Sequence, residues 1–128
     1  MSLEVVFIGS GSSSGTPNIR CAMDGAENCV ACKSALADPD SKNNRGNPSI
    51  LIKVPYTESE LSKSEDANIH RNILVDVGKT FKRGALKWFR KFGVSAVDAV
   101  ILTHEHADAI LGLDDLREVQ VIILKTIF

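Results

Sequence analysis

The sequence is short of most features that would place it in a special class. Aromatic residues make up 5%, with one tryptophan and one tyrosine, and the formal net charge is −1 over 128 residues. So neutral a balance leaves no electrostatic footprint for nucleic acid, and binding to RNA or DNA is unsupported. No apolar run approaches the roughly 20 residues that a membrane-spanning helix needs, so no membrane contact is expected. Leu3–Ile8 is a short apolar stretch with no basic residue before it, and it does not read as a signal peptide. Three cysteines, an odd number, speak against a disulfide framework and for a reducing compartment. The expected location is therefore cytoplasmic. With 44% hydrophobic and 24% charged residues, what remains is ordinary globular material, enough for one modest core.

Four β-prone runs stand out: Leu3–Ile8, Ser49–Val54, Asn72–Val77 and Val97–Thr103. The first stops at a loop of glycines and serines, Gly9 to Pro17. Its spacing is one residue too long for a dinucleotide fingerprint, and it has no lysine for a phosphate-binding loop, so it reads as a strand-to-loop turn that can line a site. Thr80–Phe92 predicts a helix, because Phe81, Ala85, Trp88, Phe89 and Phe92 share one face and Gly93 follows. Its other face carries Lys79, Arg83, Lys87 and Arg90, which reads as solvated surface. Strand, helix and strand in this order predict a right-handed parallel crossover, with the ends near Val77 and Thr103 on one edge of the sheet. Tyr56–Asn68 is polar and unpatterned, and predicts an exposed loop.

Two clusters of chemistry-bearing residues remain. Cys21, Cys29 and Cys32 fall in one short segment, where Asn28 is expected to cap a helix running to about Ala37. Three thiols supply three of the four ligands of a structural zinc site, and Asp24 and His70 are the candidates for the fourth. A redox pair is the rival, but the surrounding pattern lacks the strand–helix–strand context of one. The second cluster is His104, His106 and Asp108, at the end of the apolar run Ala99–Leu102. Alternate positions let His104 and His106 aim at one point while Glu105 faces away. Two imidazoles and a carboxylate suit a divalent transition metal, which acidifies bound water for hydrolysis. Asp108 would ligate, or orient the water and accept its proton. Asp76, a carboxylate inside an apolar strand, needs a polar partner and is expected to support the metal loop. Asp114 and Asp115 are weak signals, one solvated and one a partner for Arg117.

THEHADA after an apolar strand, DVG upstream and FIGSGSSSGTP near the start together resemble the metallo-β-lactamase-fold hydrolases. The likeness is nearest to the branch of phosphoribosyl 1,2-cyclic phosphate phosphodiesterases, and is more distant to the tRNA 3′-processing endonucleases. That branch has a cysteine cluster after its glycine-rich loop, completed by a distant histidine to hold zinc, and Cys21, Cys29 and Cys32 look like it. The resemblance spans Leu3 to Gln120. It implies an α/β fold: the N-terminal half of an αβ/βα sandwich, a mixed sheet with helices on one face. It also implies Zn2+, Mn2+ or Fe2+ in the active site, one or two ions in the complete fold, with His104 and His106 on the first and Asp108 on the second, Asp76 supporting the loop, and a structural Zn2+ elsewhere. The implied substrate is a small anionic phosphodiester, cleaved by a metal-activated water.

Two departures qualify these expectations. Ala109 stands where the family pattern HxHxDH has its last histidine, and no histidine follows His106. The expected organisation is thus a partial domain over residues 1–120 and a divergent apolar tail over 121–128, with one sheet face apolar and uncovered. The alternative to a working hydrolase is a truncated, catalytically inactive remnant that binds zinc or a partner.

Overall fold

In the computed structural model, which describes residues 2–23, 28–62 and 69–120, four strands form one mixed sheet in the order β1-β2-β3-β4. β1 is Glu4–Gly9, β2 Ser49–Pro55, β3 His70–Val75 and β4 Ala99–Ile101. β1, β2 and β3 run antiparallel in turn, and β3 pairs parallel with β4. The parallel crossover expected from the sequence is therefore present, and the fold is α/β. Short helices complete the chain order: α1 Ile19–Met23, α2 Val30–Ala37, α3 Glu58–Leu61, α4 Phe81–Trp88 and α5 Ala107–Ile110, followed by a 3-10 turn at Leu113–Glu118. No helix among the described residues is long and apolar enough to cross a membrane.

The register explains which face is covered. Val6, Leu51, Leu74 and Val100 form one row across all four strands. This row faces α4, and with Phe81, Ala85, Phe89, Val77 and Leu116 it makes the core. Leu51, Leu74 and Val77 are fully buried. The neighbouring rows, Val5–Ile52–Ile73–Ala99 and Phe7–Ile50–Val75–Ile101, belong to the other face because side chains alternate along a strand. Among the described residues nothing covers that face: Phe7 is 65% exposed and Ile101 51%.

Several local expectations need correction. β3 stops at Val75, two residues early, because Asp76 turns into the left-handed region with φ 59° and leaves the ladder. Cys29, not Asn28, occupies the N-cap of α2. The helix expected up to Phe92 is regular only to Trp88, although Phe81, Ala85 and Phe89 are buried as predicted and Gly93 takes φ 63° after it. The helix expected from Asp108 is divided at Gly112, whose amide donates to the Val77 carbonyl. Asp114 pairs with Arg117 at 2.7 Å, while Asp115 pairs with Lys82 at 3.4 Å. Asp24 and the tail Val121–Phe128 lie outside the described residues.

The stretch expected as a plain loop contains α3, held by a reciprocal capping box of Thr57 and Glu60. Residues 63–68 of that loop lie outside the described residues. The Thr57 amide, then the Arg71 guanidinium and the Thr57 hydroxyl, bring the Glu60 carboxyl down to about 2. A depressed carboxylate contributes stability above its unfolded value of about 4.5, and the contribution goes as pH falls through about 2. Glu60→Gln is expected to flatten the dependence of stability on pH within that window. Urea titrations of both proteins across it check the sign.

Candidate metal centre

The site grows from the ends of the two parallel strands. After β3 the backbone bends at Asp76, which is 9% exposed and takes φ 59°. Left-handed backbone costs an L-residue roughly 1–2 kcal/mol, least for Asp and Asn. The carboxylate offsets that cost by accepting from the Thr103 amide at 2.8 Å and from the Thr103 hydroxyl at 2.7 Å. These bonds fasten the loop after β4, just before His104. They tie the turn after β3 to the segment that carries His104 and His106.

Thr103 was unmarked in the sequence beyond ending a strand, yet it passes the constraint onward. Its hydroxyl lies 2.9 Å from His104 Nδ1. Because its one proton goes to the Asp76 carboxylate, the hydroxyl can only accept from His104, so Nδ1 carries the hydrogen. Nε2 is thereby the ring atom left facing the cluster, and it lies 3.6 Å from Asp108 Oδ1. Metal-binding histidines are commonly held in this way, with one nitrogen donating behind the site. Thr103→Val keeps the shape of the side chain and removes that relay. We expect metal affinity at this cluster to fall about 10–100-fold, as calorimetric zinc titration would show, with the fold retained in circular dichroism.

His106 N-caps α5, and its ring meets that of His104 edge-on, with centroids 4.9 Å apart. One ligand atom from each of His104, His106 and Asp108 lies within 4.8 Å of the others. Both histidines are exposed and Asp108 is half-buried. Two neutral nitrogens and one carboxylate oxygen at that spacing fit a divalent cation, with room left for ligands from outside the loop. Ala109 is fully buried, and its carbonyl accepts the Val77 amide at 2.7 Å. That position docks the loop and offers no ligand.

Two further residues fix the loop, and neither carried a sequence signal beyond the words DVG and NP. A Cβ placed on Gly78 would lie 2.0 Å from the Asp108 carbonyl oxygen. Asn47, 2% exposed, donates from its amide to Thr80 Oγ1 and from Nδ2 to the Ser13 carbonyl, both at 2.7 Å. It therefore ties the glycine–serine loop to the segment beside Gly78.

The cysteines converge as well, with their sulfurs within 4.8 Å of one another. Cys32 is buried and also accepts the Asn18 amide at 3.4 Å. A hydrogen bond to Cys32 pushes the Cys21 thiol up to about 11, while the Cys32 amide draws the Cys29 thiol below its ordinary value. Three thiols this close disfavour more than one negative charge unless a cation joins them. His70 opens β3 opposite Pro55 and is not part of the group.

Residues 71–126 match the β-lactamase superfamily domain. By structure, the chain is similar to a diphosphatase of the PhnP family, with a TM-score of 0.59 and 29% identity over 92% of this chain and 37% of that one. The matched segment, residues 71–126, is a metallo-β-lactamase superfamily domain. Zinc-bound PqqB of Methylobacterium extorquens shares the fold, with a TM-score of 0.59 and 21% identity over 93% of this chain and 35% of that one. An octanoyltransferase of Porphyromonas gingivalis strain W83 is 33% identical over 117 residues, 91% of this chain but 18% of that protein. The chain thus spans little more than a third of these two solved proteins, and under a fifth of the octanoyltransferase.

Proposed function

We propose that this chain is the ligand-bearing half of a metal-dependent hydrolase acting on phosphodiesters, with His104, His106 and Asp108 as metal ligands. One observation carries the reading. The Asp76–Thr103–His104 chain of hydrogen bonds holds the ring from its Nδ1 side and leaves Nε2 beside His106 and Asp108. Packing alone gives no reason to orient an exposed imidazole this way. A bound zinc, manganese or iron ion would supply Lewis acidity and make water a nucleophile near neutral pH. His104 and His106 would hold it, and the Asp108 carboxylate, placed 3.6 Å from the imidazole, would bind alongside or take up the proton. The phosphodiester class rests on the family resemblance, and the kinship with a diphosphatase supports phosphorus-centred chemistry. The cysteines would hold a separate structural zinc.

A second reading is favoured by Ala109, which stands at a ligand position of the family pattern. On that reading the chain binds metal but does not turn over substrate. Elemental analysis of the full chain, with hydrolysis of bis(p-nitrophenyl) phosphate, separates the two. We expect the His104→Ala/His106→Ala double variant to lose one metal equivalent and all turnover, and to keep the cysteine-bound ion. Unchanged metal content in that variant would reject the proposal. Metal loss from a wild-type chain that never turns over the ester would select the second reading.

A further inference from the structure

A cavity of about 950 Å3 opens along β1, and no residue of the metal loop lines it. Every residue from Val5 to Ser10 contributes to its wall. Alternate side chains of a strand point to opposite faces, so a consecutive run can line one cavity only along the strand's edge. β1 is that edge, with β2 as its one neighbour among the described residues. One side of the groove is α4, through Arg83, Lys87 and Trp88, and the other is the segment after α2, through Lys42 and Arg45. Asp40 is the single acid among the lining residues. Among the described residues Lys42, Arg45 and Arg83 form no ion pair, and Lys87 lies 5.2 Å over the Trp88 ring.

An open strand edge offers main-chain donors and acceptors to another strand. Four cations around it repel a second copy of the same edge and select a segment of opposite charge. We propose that this groove binds an extended acidic segment of a partner protein, which adds to β1 as a further strand. Its carboxylates meet Lys42, Arg45, Arg83 and Lys87, and its apolar residues rest against Trp88 and Phe92.

Trp88 is the only tryptophan, so its fluorescence reports occupancy of the groove in the full chain. The probe is the peptide acetyl-Glu-Val-Glu-Thr-Glu-Val-Glu-amide. We expect a saturable change in emission that is lost when the central Thr is replaced by proline, which removes a main-chain donor. Arg83→Glu/Lys87→Glu, both exposed positions, should weaken binding at least about tenfold. The same variant should gain binding to the peptide with lysine in place of glutamate. Equal binding by the proline peptide or by a single-stranded oligonucleotide would overturn the proposal, as would no saturation at millimolar peptide. Self-association of the free chain that occludes Trp88 would also overturn it. None of these variants touches the histidine or cysteine clusters, so the outcome is independent of the metal reading.

Discussion

Gly78→Ala should destabilise the chain by about 3 kcal/mol and disable the histidine cluster, although it adds a single methyl group. The new Cβ would lie 2.0 Å from the Asp108 carbonyl oxygen, 2.6 Å from its carbonyl carbon and 2.9 Å from Asn47 Cβ. Two of those neighbours are backbone atoms, which cannot rotate away as a side chain does. The loop bearing His106 and Asp108 would have to lift from the turn after β3. Its bonds from Val77 N to the Ala109 carbonyl and from Gly112 N to the Val77 carbonyl would be lost with it. Gly93→Ala is the informative comparison. Gly93 has φ 63° with open space around its Cβ position, so alanine there should cost only about 1 kcal/mol of backbone strain. Urea unfolding of both variants, with zinc titration of each, checks the contrast. A Gly78→Ala protein as stable as Gly93→Ala, with normal metal uptake, would contradict the docking of the loop described here.

Zinc should stabilise the chain through its cysteines, and Cys21→Ser/Cys29→Ser should abolish that gain. A ligand that binds only the folded state at a hundred times its dissociation constant adds about 2.7 kcal/mol to stability. The three sulfurs are already within 4.8 Å of one another, so little rearrangement opposes binding. Cys21 and Cys29 are half-buried, which makes their replacement mild in the metal-free protein, whereas Cys32 is buried and would confound the test. The raised Cys21 thiol means that zinc uptake must release protons there, so affinity should climb with pH from neutral towards about 11. Thermal melts with zinc and with chelator, at two pH values, measure both effects. Identical melts with and without zinc would show three thiols that merely pack together.

The chain's own sequence determined the elements whose patterns are local. Alternation placed the four strands, the buried face of α4 followed from residues three and four apart, and HxHxD named the three side chains that the fold brings together. The order of strand, helix and strand fixed the parallel pairing of β3 with β4, because a crossover of that length leaves one common handedness. Tertiary structure decided what joins segments far apart in the chain. Asp76 and Thr103 are 27 residues apart, and Asn47 and Thr80 are 33 apart. Asp76 looked like a strand residue because its neighbours are apolar; its left-handed backbone is sustained by the Thr103 bonds, which no local pattern encodes. The partner of His104 Nδ1, the Thr103 hydroxyl, is held in place the same way. The sequence supplied the donor atoms; the packing of the turn after β3 against the loop after β4 aimed them.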